Sequence, residues 1–182
     1  MLRALGPSHQ LPMHALRSAL TAVGMSEVRT YRQTGNIIAA SPLTTREQVT
    51  ELVSQVLTAD FGLGDIRVIT RRPDEISQVI AANPFASEAS QRPNLIRVIF
   101  LSGVPCEARV TRLMSVEALK DTCRVTGNHV YVDYVHGYHN THRTAPYFTR
   151  VLGVDGTERN WRTVLAISDL CRHPAHRGWD KQ

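Results

Sequence analysis

An α+β fold built from two ferredoxin-like β-α-β-β-α-β units, an internal duplication closed by a C-terminal helix, is what the sequence predicts. Three observations carry this. Arg32-Gln33-Thr34-Gly35-Asn36 recurs as Arg124-Val125-Thr126-Gly127-Asn128. Each copy links two runs of β-formers through Gly-Asn, a pair that tolerates positive φ and so suits a tight hairpin. Around each hairpin, apolar residues fall at helical spacing on either side, giving the same order of elements twice.

The elements follow in order. Met1 to Leu5 is an apolar run read as a first strand. From Pro12, the positions Met13, Leu16, Leu20 and Val23 recur at helical spacing, and Gly24 suits the helix end. Val28 to Gln33 and Asn36 to Ala40 are the hairpin strands. Thr44 or Thr45 can cap a second helix whose apolar face is Val49, Leu52, Val53, Val56 and Leu57. Asp65 to Thr70 alternates as a strand and completes a first unit over residues 1–72.

Residues 73–94 connect the halves. Pro73 can open a short helix reaching about Ala82. The small, polar stretch Ala86 to Pro93 reads as a mobile connection. In a second unit over 95–172, Leu95 to Leu101 is a buried-type strand and Pro105 to Met114 a helix. Thr122–Val125 and His129–Tyr134 form the second hairpin, Thr141 to Leu152 a helix, and Thr157 to Arg159 an extended piece. A last helix runs from Asn160 to Cys171 with Trp161, Val164, Leu165 and Ile167 as its apolar face. Residues 173–182 form a polar tail.

With 182 residues, 42% apolar and 20% charged, the composition is that of an ordinary globular protein. No apolar run approaches the roughly 20 residues that span a bilayer. Gly6, Pro7, His9, Pro12 and His14 interrupt the N-terminal segment where a secretory signal needs a continuous apolar stretch. The expected location is the cytoplasm, with no membrane association. Cys106, Cys123 and Cys171 are odd in number and far apart, which fits reduced thiols. The formal charge of +5 comes almost wholly from arginine, since Lys120 and Lys181 are the only lysines. Arginine suits bidentate recognition of phosphate or carboxylate. The same arginines, scattered and without a block, also describe a solvated surface.

Three segments resemble the bacterial domain of unknown function 1697 family. Val28-Arg29-Thr30-Tyr31-Arg32-Gln33-Thr34-Gly35-Asn36 is similar to its "VRTYiQSGN" signature, Asn83-Pro84-Phe85 to its mid-chain "NPF", and Thr157-Glu158-Arg159-Asn160-Trp161-Arg162-Thr163-Val164 to its C-terminal "TTRNWnTV". Order and spacing match along nearly the whole chain. The resemblance implies a fold of two ferredoxin-like halves and no particular activity. Two departures stand out. Where the family opens with "LLRGINVGG", this chain has Met1-Leu2-Arg3-Ala4-Leu5-Gly6-Pro7-Ser8-His9, so either a start lies upstream or the chain is a diverged member. Where the family has "GigrSKL", it has Gly137-Tyr138-His139-Asn140-Thr141-His142-Arg143, exchanging a lysine for His142.

The candidate site residues fall into three groups. His136, His139 and His142, with His129 and Asp133 nearby, are candidates for acid-base catalysis, because imidazoles titrate near neutrality. Their spacing matches no metal-ligand frame, His129 and His136 would face opposite sides of a strand, and no metal or cofactor is expected. A polar surface loop would draw the same residues. Thr141 at an expected helix start, followed by the cationic His142 and Arg143, suggests an anion at free helical N–H groups, an ordinary N-cap being the alternative. Arg29, Gln33 and Asn36 on the first hairpin, and Arg159, Asn160 and Trp161 at the last helix entry, could line a basic cleft between the units. Turn geometry and core packing account for most of these as well. Tyr131, Tyr134 and Tyr138 resemble an RNA-stacking platform, without the motif that usually goes with it.

Two functional readings follow. The leading one is a protein that binds an anionic small molecule, a nucleotide or a nucleic acid segment. The other is a small-molecule enzyme with a histidine of the 136–142 loop as acid or base, and Arg143 or Arg159 orienting an anionic substrate.

Overall fold

The computed structural model describes residues 1–3, 11–119 and 122–172. Two antiparallel sheets and seven α-helices lie among them. The chain divides into two compact units, Met1–Pro73 with Ala166–Gln182, and Asp74–Leu165. The expected polar tail, 173–182, and Ala4 and Leu5 of the expected first strand lie outside the described residues.

In the first unit, α1 (Met13–Ala22) buries Leu16 and Leu20. It stops where Gly24 turns left-handed at φ 92°. The Gly24 N–H donates to the Thr21 carbonyl and the Met25 N–H to the Leu20 carbonyl, the paired 5→2 and 6→1 bonds of a Schellman end. The strands β1 (Ser26–Tyr31) and β2 (Asn36–Ala40) form the hairpin. The helix α2 (Arg46–Phe61) begins at a capping box, with the Thr45 hydroxyl accepting from the Gln48 N–H and the Gln48 side chain accepting from the Thr45 N–H. Leu16, Leu20, Val53, Val56, Leu57 and Met25 share one apolar cluster.

The last expected strand of this unit does not form. Residues 65–70 form no strand; one bridge, Leu2↔Val68, stands there instead. The segment Met1–Arg3 still carries hydrogen bonds on both sides. Leu2 N–H donates to the Gly35 carbonyl at the hairpin, Arg3 N–H donates to Arg67, and Ile69 N–H donates to Met1. Among the described residues the sheet proper has two strands.

The second unit is more regular. Its elements are α3 (Pro73–Ala81), α4 (Ala86–Gln91), β3 (Ile96–Leu101), α5 (Glu107–Met114), β4 (Cys123–Thr126), β5 (His129–Asp133), α6 (Ala145–Leu152), β6 (Gly156–Asn160) and α7 (Trp161–Arg172), which continues into the first unit. The stretch expected as a mobile connection is thus α4. The Asn83 side chain accepts from the Phe85 N–H, turning the chain, and Ala89 then bonds back to Phe85. The sheet order is β4-β5-β3-β6, antiparallel throughout. Five of the six β3 residues are buried, as a central strand covered on both faces requires. Ile99, Leu101, Val130 and Val132 share a cluster with Leu113 of α5 and with Phe148 and Leu152 of α6. On the other face, the Tyr131 hydroxyl donates to the Val79 carbonyl of α3.

The two hairpins differ in their loops. Thr126 pairs with His129 across the two-residue loop Gly127-Asn128, and Gly127 takes φ 54° at its first position, as type II′ loops require. Tyr31 pairs with Asn36 across a four-residue loop. There Asn36 is buried inside β2, donating to the Tyr31 carbonyl and the Thr34 hydroxyl.

Candidate functional site

Three stretches of the first unit line an open cavity of about 260 Å³. Met25 and Ala39 come from the hairpin region, Ser41, Leu43, Thr44, Thr45, Arg46 and Val49 from the loop into α2 and its first turn, and Thr70 to Pro73 from the entry into α3. Local bonds hold these walls. The Leu43 N–H donates to the Ser41 hydroxyl, and the Thr50 and Thr70 hydroxyls meet at 3.1 Å. Arg46 opens α2, while Arg71 folds back to donate to the Thr70 carbonyl at 2.8 Å. Arg46, Arg71 and Arg72 all line the cavity with the hydroxyl-bearing Ser41, Thr44, Thr45 and Thr70, and no acid is among the described lining residues. Each arginine also interacts with other groups of the chain. A guanidinium has five donors and can keep such a partner while addressing an anion.

A second polar cluster sits in the second unit, at the 134–144 turn. Glu158 lies in register with Ile99 of β3, on the face that α5 and α6 cover. Its two carboxylate oxygens accept from the Tyr134 and Tyr138 hydroxyls, each at 2.9 Å. The Arg97 guanidinium lies 3.7 Å from the centre of the Tyr138 ring. Burial raises the Glu158 carboxyl above its ordinary value, against the pull of Arg97 and the two hydroxyls. Burial and the adjacent Glu158 charge likewise push Tyr138 to about 12. The arrangement holds a carboxylate that would otherwise be stranded in the core, and it ties the turn to β6.

The residues singled out from the sequence scatter between these places and others. His136, His139 and His142 are exposed, with the His139 ring edge-on to Tyr138. Thr141 is not a helix start. It accepts from the Arg143 N–H in a local turn, and α6 begins four residues later behind Thr144, with Pro146 in its first turn. His142 and Arg143 therefore precede the helix, and the Arg143 carbonyl accepts from Tyr134.

Arg159 faces away from Glu158, because alternation along β6 puts it beside Val98 on the opposite sheet face. It is 9% exposed and donates to the Thr157 hydroxyl and the Glu158 carbonyl. Burial lowers it to about 10. Asn160 accepts from the Thr163 N–H and caps α7, and Trp161 is buried. Arg29 donates to the Leu170 carbonyl in the last turn of α7 at 2.7 Å, where a cation suits the helix dipole. Gln33 is exposed in the hairpin loop and Asn36 braces it. Tyr131 and Tyr134 are buried, so neither offers a face for stacking.

Among the described residues, no group of three or more His, Cys, Asp or Glu is placed to hold a metal ion. No helix among them is long and apolar enough to cross a membrane. The cavity arginines were not singled out from the sequence. Their one local signal is the Arg71-Arg72-Pro73 run before a helix. Glu158 carried a clearer one, a carboxylate at a core-facing register of a short strand.

Comparison with known proteins follows the same division between fold and function. The conserved bacterial protein SP0830 from Streptococcus pneumoniae is similar in structure, with a TM-score of 0.71 at 19% identity over 95% of this chain and 96% of that one. At that identity the likeness shows the fold alone. No curated protein matches the chain. The model of the family described as "Protein of unknown function (DUF1697)" matches residues 1–131. More than half of the sequence thus fits one family model, and the chain belongs to the DUF1697 family.

Proposed function

We propose that this protein binds an anionic small molecule, and that the ligand sits in the first unit's cavity. The observation that carries the reading is that Arg46, Arg71 and Arg72 line one concavity with four hydroxyl-bearing residues, no acid being among the described lining residues. Guanidinium forks match carboxylate and phosphate oxygens pairwise, and a concave site desolvates them enough for the match to matter. This puts the anion within the first unit, where the sequence-based expectation put it in a cleft between the units. The histidine-based reading gains no comparable support, since His136, His139 and His142 face solvent.

We also infer that both halves are versions of one ferredoxin-like unit. The second unit's strands run in the spatial order 2-3-1-4 of that topology. The bonds of Met1–Arg3 to Gly35 on one side and to residues 67–69 on the other support the reading of the N-terminal segment as this unit's central strand.

Thermal melts across a panel of phosphates, nucleotides, carboxylates and a single-stranded oligonucleotide test the binding reading. An anion at 100 times its Kd adds about 2.7 kcal/mol, which raises the melting temperature of a chain this long by about 5–10 °C. Replacing Arg46 and Arg71 together by alanine removes that rise. If no anion shifts the melt, the reading is wrong.

A further inference from the structure

The rest of the cavity lining narrows the anion to one class, a narrowing that rests on the binding reading above. Three arginine residues among the lining of one concavity are more than a single carboxylate needs, since one arginine fork satisfies both of its oxygens. A phosphomonoester carries three terminal oxygens and about −1.5 to −2 charges at pH 7, which three forks and several hydroxyl donors can share. The remaining wall, Met25, Ala39, Leu43, Val49 and Pro73, is apolar and can cover the carbon body of a ligand.

Size and composition set the body. A volume of about 260 Å³ falls just under the roughly 300–1,000 Å³ of pockets for drug-sized ligands. Among the described residues no aromatic side chain lines the cavity, and they offer no platform on which a base would stack. The end of α2 is not what recognition depends on. Its capping box already occupies the Gln48 and Thr45 N–H groups, and the arginine and hydroxyl side chains supply the donors. We propose that the ligand is a small, non-aromatic phosphomonoester, a sugar or polyol phosphate, held by Arg46, Arg71 and Arg72 with its carbon body on the apolar wall.

Isothermal titration calorimetry on the full chain at pH 7 tests the assignment with five probes. These are ribose 5-phosphate, ribose, malate, adenosine 5′-monophosphate and a single-stranded 12-mer. Ribose 5-phosphate is expected to bind at least tenfold more tightly than malate, and no more weakly than the nucleotide. Ribose alone should give no heat. Arg46→Ala and Arg71→Ala should each weaken ribose 5-phosphate at least tenfold, with Arg46→Lys recovering only part of the loss because the planar fork is gone. Arg72 is exposed, so Arg72→Ala serves as the binding variant should either of the others fail to fold. Malate equal to or tighter than ribose 5-phosphate overturns the phosphomonoester assignment and leaves the anion reading standing. A nucleotide or 12-mer at least tenfold tighter than ribose 5-phosphate overturns the small, non-aromatic body. Absence of heat with every anion overturns both.

Discussion

Tyr138→Phe removes one hydroxyl from the second unit and leaves its ring in place, so it isolates what that hydroxyl does for Glu158. In the structure it donates to one carboxylate oxygen at 2.9 Å, the other being held by Tyr134. The Phe ring still offers a face to Arg97, which approaches the present ring to 3.7 Å. A hydrogen bond to a charged acceptor contributes about 1.5–3 kcal/mol, so the variant should lose about 2 kcal/mol at pH 7. The pH dependence follows from the direction of the Glu158 shift. Burial raises its native value above the unfolded one, so the native state holds the proton longer, and wild-type stability falls as pH climbs through that interval. Removing a donor that favours the charged form raises the native value further and widens the interval. The variant's loss is therefore largest at pH 7. Below the ordinary carboxylate range Glu158 is neutral in both states, and the loss shrinks to the ~0.5–1.5 kcal/mol of a neutral bond. Urea unfolding followed by tryptophan fluorescence at pH 4 and pH 7 measures both. Equal losses at the two pH values, or none at either, would refute the account of this cluster.

Two further substitutions probe the same unit. Arg92→Ala leaves Asp133, which is 7% exposed, without the guanidinium that now lies 2.6 Å away. A loss of about 3 kcal/mol at pH 7, at the low end for a buried pair because Arg92 is itself 29% exposed, should diminish in acid as Asp133 protonates. Urea unfolding across pH 4 to 7 checks it. Gly156→Ala places a methyl 3.0 Å from side-chain carbons of Ile99, Leu101 and Thr149. Such overpacking costs about 1–3 kcal/mol, to be read as a lower melting temperature.

The sequence was most legible where local chemistry decides the outcome. Gly127-Asn128 forms the two-residue hairpin it suggests because positive φ at the first loop position needs glycine. The first copy has the same three letters and a different loop, since Asn36 was drawn into β2 as a buried brace. At α6 the expected start at Thr141 gave way to one behind Thr144, with Pro146 in the first turn. Pro146 fits there because its missing N–H costs nothing in a first turn, while the Thr141 hydroxyl is spent on the Arg143 amide. The small residues of α4 looked like a connection until Asn83 and Phe85 supplied its start.

The candidate site was least legible. Its lining residues come from Met25 and Ala39, from positions between Ser41 and Val49, and from Thr70 to Pro73, parts of the chain that only tertiary folding brings together. No periodicity could show that Arg46 and Arg71 share a concavity. Arg159, by contrast, stood out in a motif and proved to be a buried brace on its own strand.

The most direct test of the binding site is the amide spectrum of ¹⁵N-labelled protein titrated with ribose 5-phosphate. The account predicts saturable shifts concentrated on Ser41 to Val49 and on Thr70 to Arg72. Shifts concentrated instead on Tyr134 to Thr144, or a spectrum unchanged at millimolar ligand, would contradict it.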